Sequence, residues 1–548
     1  MKPIIYQLLP RLIGNRNTTR KRNGSLEENG VGKFNDINAS VLRRIKQLGA
    51  THVWYTGIIR HATQTDYTNY GIPAQHPAVV KGKAGSPYAI ADYYDVDPDL
   101  AVDVEQRFEE WKQLLRRTHQ AGLKVIVDFI PNHVARQYQS VCRPDGVEDL
   151  GERDDSKKHF STENNFYYCW GQPFAPSFPV GNYHESPARA TGNDHFDASP
   201  GVDDWYETVK LNYGIDYCDA GGRSEHFTPA PDTWHKMLQI MRFWAQQGID
   251  GMRCDMAEMV PVEFWKWSIA QVKAERPDFL FVGEVYNPSQ YREFVAAGFD
   301  YLYDKVGMYD TLFDILRGNS PTAEISSRWQ QTSDILDHML YFLENHDELR
   351  IANSFFAGQA SHAIPALMVC AWLHRGPLMV YHGQEFAEPG MDNEGFSGLN
   401  GRTTIFDYWC VESLRRGYFD RKAMTAEQQQ TEAQYKTVMN IARREKPITQ
   451  GEMFDLMYVN GHLAQQQYAF LRKWKDEMLV VLVNFAGRPV ECDVYLPQHA
   501  FDFLQVEEGA YDAVELLSSA SQPLLLSGQQ PLQLHAPAYG GTIFKIKL

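Results

Sequence analysis

The chain has 548 residues, which is too long for one simple domain and predicts two or three. Hydrophobic residues make up 43% and charged residues 22%, an ordinary composition for a globular protein. The net charge of −16 argues against nucleic acid or an anionic membrane as a partner, and a neutral or cationic ligand fits better.

The seven cysteines are scattered and form no Cys-x-x-Cys pair, which predicts free thiols and no disulfide framework or zinc site. No stretch approaches the 18 or so apolar residues of a membrane span. The first residues have too short an apolar run for a signal peptide and no small-residue cleavage site. We therefore expect a cytoplasmic protein. The alternative is an exported protein whose signal peptide is absent from this sequence.

The first part of the chain alternates apolar strands with amphipathic helices, and a glycine follows each helix. This alternation predicts a parallel α/β sheet. Residues 56–91, rich in Gly and Pro, are predicted as a long loop. The predicted strands are Ile4–Leu9, His52–Thr56 and Lys124–Ile130, and the predicted helices are Ile37–Leu48 and Val104–Ala121.

The alternation stops between Val134 and Pro231. This segment is rich in Gly, Pro, Asn, Asp and aromatic residues and contains no long helical pattern. It is too long for a loop in a compact domain, so residues 134–231 are predicted to fold as an inserted domain.

From residue 232 the alternation returns and brings the count to eight strand–helix units. Eight units predict an α/β fold of the (β/α)8 TIM barrel type, formed by residues 1–133 and 232–447. An open doubly wound sheet is the alternative, but it does not usually run to eight units. The later predicted strands are Gly248–Cys254, Phe279–Val285, Phe299–Tyr303, His338–Leu343 and Leu378–Tyr381. The later predicted helices are Thr233–Gln247, Val262–Glu275, Ser289–Ala297, Thr322–Leu336, Ser361–His374 and Ala426–Glu445.

After Pro447 the pattern changes to short strands separated by turn residues, with no convincing helix. Residues 448–548 are therefore predicted to form a C-terminal all-β sandwich domain. Its predicted strands are Met457–Asn460, Tyr468–Arg472, Met478–Asn484, Glu491–Leu496 and Gly541–Ile546.

Four acidic residues, Asp128, Asp255, Glu284 and Asp347, stand at the ends of predicted strands three, four, five and seven. A βα unit takes about 30 residues or more. The spacings of 284 − 255 = 29 and 347 − 284 = 63 residues correspond to one and two units. Acids at single strand ends are common as helix N-caps. Four in phase predict instead that the carboxylates share the mouth of the barrel, where barrel enzymes place their functional groups.

Arg253 lies two residues before Asp255, so both side chains project from the same face of the strand. The guanidinium is expected to hold Asp255 ionised, as a nucleophile requires. Glu284 has Val282, Gly283 and Val285 as neighbours, an apolar setting that favours the protonated acid. Retaining glycoside hydrolysis needs such a pair with carboxyls about 5–5.5 Å apart. The sequence contains no Gly-x-Ser-x-Gly elbow, no phosphate-binding loop and no His-x-His metal motif.

The segments around these acids resemble the sequence regions of the alpha-amylase family, glycoside hydrolase family thirteen. Their order and spacing make the resemblance specific, and it covers nearly the whole chain. The four regions are Asp128-Phe-Ile-Pro-Asn-His133, Gly251-Met-Arg-Cys-Asp255, Gly283-Glu284 and Glu344-Asn-His-Asp347. Further similar segments are Ser86-Pro-Tyr88, Asp92–Pro98 and Gly376–Glu385.

The resemblance implies a role for each matching residue. Asp255 is similar to the family's nucleophile, Glu284 to its general acid/base, and Asp347 to the carboxylate that binds substrate hydroxyls and favours the distorted sugar. Arg253 would keep Asp255 ionised, and Asp128 would brace Arg253. The remaining substrate-binding positions are His133 and His346, which would bond sugar hydroxyls, and Tyr88, which would stack on the sugar.

Two departures from the family pattern concern the substrate and the metal. Glu258 and Met259 stand where many members have Lys-His, which puts contacts to the leaving-side sugar in doubt. The motif that is often Leu-Pro-Asp-Leu-Asn reads Val209-Lys-Leu-Asn212, and its missing Asp removes one calcium ligand. Other oxygens could come from Asn132, Asp194, Asp203 and Asp204. We expect no required cofactor and no bound calcium.

The resemblance implies a retaining hydrolase of α-1,4-linked glucans or maltooligosaccharides, with no nucleic acid or membrane partner. A glucan transglycosylase or α-glucosidase of the same family is the alternative. A non-catalytic carbohydrate-binding barrel is a remote alternative, because such a chain should have lost a carboxylate.

Overall fold

The computed structural model describes residues 2–396 and 398–548. Within these residues, eight parallel strands close into a barrel. The first strand pairs with the second on one side and with the eighth on the other, which closes the sheet and excludes the open alternative. The barrel strands, numbered one to eight, are Ile4–Leu8, His52–Tyr55, Lys124–Phe129, Gly251–Cys254, Leu280–Gly283, Tyr301–Tyr303, Met339–Phe342 and Leu378–Tyr381.

A helix follows each barrel strand and packs on the outside of the barrel. The first shows why: Asn38 accepts hydrogen bonds from the backbone N–H groups of Ser40 and Val41, and Gly49, with φ of 123°, ends the helix. Its buried residues recur at helical spacing. The barrel helices are Ala39–Leu48, Arg107–Gln120, Asp232–Gln246, Val262–Glu275, Tyr291–Ala297, Glu324–Gln331, Ile364–Trp372 and Ala426–Arg444. Shorter helices are Pro10–Ile13, Leu26–Asn29, Asp310–Leu316, Glu412–Leu414 and Lys446–Thr449.

Several predicted boundaries differ from the structure, as in the following three cases. Strand four begins at Gly251 and not at Gly248, because Gly248 has φ of 95° and ends the preceding turn. The predicted loop 56–91 includes strand Ile59–His61, which pairs antiparallel with Ile90–Val96. The predicted helix 322–336 is shorter, and the π-helix Lys305–Tyr309 precedes it.

The segment between strand three and the helix at residue 232 folds as small antiparallel pairs. His133–Ala135 pairs with Thr208–Lys210, so the segment returns to the carboxyl end of strand three at residues 208–210. No α-helix occurs among residues 136–231, all of which the structure describes. The other two pairs are Tyr168–Cys169 with Ala188–Arg189, and Ile215–Asp219 with Gly222–Glu225.

The C-terminal part is an antiparallel β-sandwich, as predicted, with a six-stranded sheet and a two-stranded one. Two predictions inside it are wrong: helix Gln498–Leu504 interrupts the strands, and Met457–Asn460 is a turn. The Asp455 carboxylate accepts the backbone N–H of Met457 at 2.7 Å, which favours this turn over a strand. The strands are Glu452–Asp455, Gln467–Trp474, Glu477–Asn484, Val490–Val494, Gly509–Glu515, Ser521–Leu526, Leu532–Ala536 and Gly540–Lys547.

One apolar core runs without interruption from the barrel interior to the C-terminal sheet. None of the helices in the described part of the chain combines the length and the apolar character that a membrane crossing needs.

Candidate active site

The carboxyl ends of strands three, four, five and seven meet at one cavity of about 370 Å³. The backbone pairing places these strand ends at the same height in the barrel, since Arg253 is the register partner of both Asp128 on strand three and Val282 on strand five. Six predicted site residues line the cavity: Tyr88, His133, Asp255, Glu284, His346 and Asp347. The other two, Asp128 and Arg253, lie beneath it. The Arg253 guanidinium contacts both Asp128 and Asp255.

Arg253 is the centre of the site. One of its terminal nitrogens, Nη1, lies 2.7 Å from Asp255 Oδ1 and 3.3 Å from Asp128 Oδ1. The other, Nη2, lies 2.7 Å from Glu284 Oε2. Its Nε donates to the Tyr303 hydroxyl at 3.2 Å. A single guanidinium, only 1% exposed, therefore fixes the carboxylates of two adjacent strands beside each other.

The negative charges around Arg253 outnumber the positive one, because one cation faces three carboxylates. Burial raises the pKa of Asp255 well above its usual value, and Glu284 and Asp128 add to this while Arg253 opposes it. Burial likewise raises the pKa of Asp128 to about 6. Arg253 does favour the ionised form of Asp255, as expected, but the guanidinium is shared with two other carboxylates.

Glu284 does not have the apolar setting that its sequence neighbours predict. Its Oε2 accepts the backbone N–H of Met256 at 2.8 Å, and its Oε1 accepts the Tyr286 hydroxyl at 2.5 Å. Met256 has φ of 43°, a left-handed conformation at the turn after strand four. The donors to the Glu284 carboxyl are therefore Met256 and Tyr286. Both lie on the turns that follow strands four and five, and not on the strands themselves.

Glu258, one of the departures from the family pattern, has a structural contact. Its carboxylate accepts the backbone N–H groups of Tyr286 and Asn287, both at 2.9 Å. It thereby holds the turn that carries Tyr286 against Glu284. Neither Glu258 nor Tyr286 was predicted as a site residue, and the only signal was the position of Tyr286 two residues after Glu284.

Asp347 and His346 form a pair on the opposite side of the cleft. His346 Nε2 lies 2.9 Å from Asp347 Oδ2, and the Asp347 side chain is 46% exposed. Desolvation in the cleft raises the pKa of Asp347. His346, and then Arg253 and Arg402, outweigh this effect and lower the pKa to about 2. The Gln7 amide lies 2.8 Å from His346 Nδ1 and fixes the ring. Asp347 thus offers an ionised carboxylate to a ligand.

Tyr88 and His133 complete the predicted set. The Tyr88 ring stacks on His346 with centroids 4.8 Å apart and lies over the Arg253 guanidinium at 5.4 Å. Burial, and then the charge of Lys210, lowers the pKa of His133 to about 3, so its imidazole is neutral at ordinary pH. A neutral imidazole and a tyrosine ring suit an uncharged, hydroxyl-rich ligand.

The second wall of the cavity comes from segments that carry no specific sequence motif. Trp205, Glu207 and Thr208 belong to the inserted segment, and Ile405 and Phe406 belong to the loop after strand eight. The Trp205 ring lies 5.2 Å from that of His133. Only the aromatic density of residues 134–231 pointed to such a wall.

The oxygens considered for calcium do not converge on an open site. Asp204 accepts from the Asn193 amide at 2.6 Å, and Asp203 is exposed. Asn132 and Asp194 do face one point, but the Lys210 amine lies there. One other group in the described residues, Asp92, Asp95 and Cys142, has candidate ligand atoms within 4.8 Å of each other. Its carboxylates already pair with arginines, including Arg107 at 2.8 Å from Asp95.

The chain is similar in sequence to a known family and to several characterised proteins. The model of the alpha amylase catalytic domain matches residues 21–447. Neopullulanase 2 of Thermoactinomyces vulgaris is 23% identical over 468 residues, 83% of this chain and 63% of that protein. Alpha-amylase 3 of Dictyoglomus thermophilum is 24% identical over 316 residues, 55% of this chain and 54% of that protein. The chain therefore spans less than two thirds of the length of either relative.

Solved structures show the same fold. An alpha-amylase from Geobacillus thermoleovorans, complexed with acarbose, superposes with a TM-score of 0.65 at 19% identity, covering 100% of this chain and 98% of that one. The catalytic-domain match extends over most of the chain and includes every predicted site residue. The protein therefore belongs to the alpha-amylase family.

Proposed function

We propose that this protein is a retaining glycosidase that cleaves α-1,4-glucosidic bonds in starch-type glucans or maltooligosaccharides. The observation that carries the proposal is the shared guanidinium of Arg253, which holds Asp255 and Glu284 side by side at the floor of the cleft. Retaining enzymes need two neighbouring carboxyls without room for a water between them. The family membership and the aromatic residues in the cavity lining support the same reaction class.

In the proposed first step, Asp255 Oδ attacks the anomeric carbon while the carboxyl of Glu284 gives its proton to the leaving glycosidic oxygen. In the second step the Glu284 carboxylate takes a proton from water, whose oxygen displaces Asp255 from the sugar. Two substitutions at one carbon retain the anomeric configuration.

The other site residues are proposed to bind the sugar on which the reaction occurs. Asp347, held ionised by His346, would accept hydrogen bonds from two hydroxyls, as the distorted sugar of the transition state requires. His133 and His346 line the same region. Tyr88 offers a ring face near the glucosyl unit, and the named activities of the relatives support an α-glucan as substrate.

The test is incubation of the purified protein with starch, maltooligosaccharides, sucrose and trehalose, followed by chromatography of the products. We expect shorter maltooligosaccharides from the first two substrates and none from sucrose or trehalose. Products longer than the substrate would instead show transglycosylation. A folded protein that releases no product, but binds maltooligosaccharide, would overturn the proposal in favour of a binding barrel.

A further inference from the structure

A buried lysine lies at a cation position between the barrel and the inserted segment. Lys210 Nζ is 2.7 Å from Asp194 Oδ1, donates to the backbone carbonyl of Met259 at 3.2 Å, and donates to the amide Oδ1 of Asn132. The side chain is only 3% exposed. A carboxylate, an amide oxygen and a backbone carbonyl are the oxygen types that bind calcium in proteins.

These oxygens come from the segments that carry the cleft. Asn132 directly precedes His133, and Met259 ends the short helix Ala257–Met259 that follows Asp255. Lys210 itself is the backbone partner of His133 in the strand pair that roots the inserted segment. One ammonium group thus joins strand end three, strand end four and the inserted segment.

We propose that the Lys210 ammonium replaces a divalent cation, so that the chain needs no metal to hold these segments together. The three N–H groups of an ammonium match the three acceptors, whereas a calcium ion needs six to eight oxygens. The Asn132 amide nitrogen donates to the Gly192 carbonyl at 2.8 Å, which turns its oxygen toward Lys210. A calcium ion and the ammonium cannot occupy the same point, so the two are mutually exclusive.

The replacement leaves a latent metal site beneath the lysine. Removing the amine would leave the three oxygens in place, because each is fixed by its own backbone segment. The Asp194 side chain is 38% exposed, so water molecules can complete a coordination shell from that side. The inference concerns binding and stability, and it stands whether or not the proposed reaction is correct.

The experiment compares the wild type, Lys210→Ala and Lys210→Met by thermal unfolding in EDTA and in millimolar CaCl₂, with calcium binding followed by calorimetry. We expect the wild-type Tm to be the same in both buffers and no calcium to bind. Lys210→Ala should have a lower Tm in EDTA, regain several degrees in calcium and bind one ion. Lys210→Met keeps the side-chain volume, so it should be destabilised and insensitive to calcium.

Two controls separate this site from a general effect. Lys210→Ala combined with Asp194→Asn loses the carboxylate and should lose the calcium response. Lys273→Ala removes a lysine with only two oxygen partners, the Gly298 carbonyl at 2.8 Å and Asp300 at 2.9 Å, and should not respond. If Lys210→Ala folds but ignores calcium, the inference is wrong. If it does not fold, the wild type still decides: stoichiometric calcium binding, or a Tm that falls in EDTA, would overturn the proposal.

Discussion

Arg253 faces more carboxylates than one cation can neutralise, and this imbalance shapes the chemistry of each acid. Asp347 pairs with His346 and is held ionised. Asp255 and Glu284 both pair with the single Arg253 guanidinium. The two acids on adjacent strands are therefore coupled, and a change to one alters the protonation of the other. Their roles must be separated by chemistry and not by titration.

Substitution of the two acids should separate their roles. Asp255→Asn cannot form the glycosyl-enzyme and should lose nearly all turnover on every substrate. Glu284→Gln loses proton transfer only, on the order of 10²–10⁴-fold for a sugar leaving group. For glycosyl fluoride the loss in the first step should be smaller, because fluoride needs no protonation.

Added azide should rescue the second step of Glu284→Gln and give a glycosyl azide of retained configuration. Proton NMR of the first-formed product provides the decisive measurement. An inverted anomer would show that both role assignments are wrong.

His133 should make the protein less stable in acid. Its pKa of about 3 in the folded state lies below the value of about 6.5 expected when unfolded. Between these two values the unfolded chain binds a proton that the folded protein does not, so stability falls as the pH falls. The loss is at most about 1.4 kcal/mol per pH unit, or about 2 kcal/mol between pH 6.5 and pH 5.

The check is denaturant unfolding of the wild type and of His133→Asn at pH 6.5 and pH 5. The variant should lose about 2 kcal/mol less stability than the wild type over this interval. Equal losses in the two proteins would contradict a neutral, buried His133.

The sequence predicted the residues at strand ends and missed those held by turns. Asp128, Asp255, Glu284 and Asp347 follow from the spacing of βα units, and the structure brings them to one cleft. Glu258 follows the left-handed Met256, and Tyr286 lies on the next turn, where Glu258 holds its backbone N–H. No spacing rule reveals these contacts. The environment of Glu284 was mispredicted for the same reason: its sequence neighbours are apolar, but its spatial neighbours are donors.

The inserted segment contributes one wall of the cleft. Its strand Thr208–Lys210 pairs beside His133, and Trp205, three residues earlier, lies in the same wall. Both the barrel and the insertion therefore line the cavity.

Replacement of Trp205 by alanine should weaken oligosaccharide binding with little change in fold. Truncating an aromatic side chain that packs on a ligand typically costs more than 1 kcal/mol, so KM should rise about tenfold. The matched control is Trp170→Ala, in the same inserted segment but 66% exposed and outside the cavity lining. An unchanged KM in Trp205→Ala would show that this wall does not touch the substrate.

The regular elements were predictable because their periods are regular. Strand eight, Leu378–Tyr381, and helix Val262–Glu275 match their predicted bounds. The π-helix Lys305–Tyr309 was not predicted, because its period departs from 3.6 residues. It begins where the Asp304 carboxylate accepts the backbone N–H of Met308, a side-chain contact that periodicity does not encode.

At the scale of the whole molecule, a buried arginine contributes to the contact between the barrel and the C-terminal sandwich. Arg472, on strand Gln467–Trp474, donates to the Leu373 carbonyl at the end of a barrel helix at 2.9 Å. It also donates to the carbonyls of Pro447, Ile448 and Gly451, at 2.9, 2.9 and 2.8 Å. Its side chain is buried, so these four acceptors have little access to water.

Arg472→Met should weaken the contact between the two parts of the molecule. Each buried acceptor left without a donor costs about 1–3 kcal/mol, so the interface should weaken by several kcal/mol. Differential scanning calorimetry should show a lower Tm and a separate transition for the sandwich. Lys473→Met, whose side chain lies on the opposite face of the same strand, should keep the wild-type profile. A single unchanged transition in Arg472→Met would contradict the assigned role.

The closure of the barrel also fixes when the protein can fold during its synthesis. Strand one, Ile4–Leu8, is fully buried and needs strand eight, Leu378–Tyr381, as its second neighbour. At about 5–20 residues per second, the ribosome takes roughly 20–75 s to make the chain between them. During that time the apolar edge of strand one has no native partner on one side, the condition under which nascent chains associate wrongly. The barrel therefore closes in one late step, after most of its parts have already emerged.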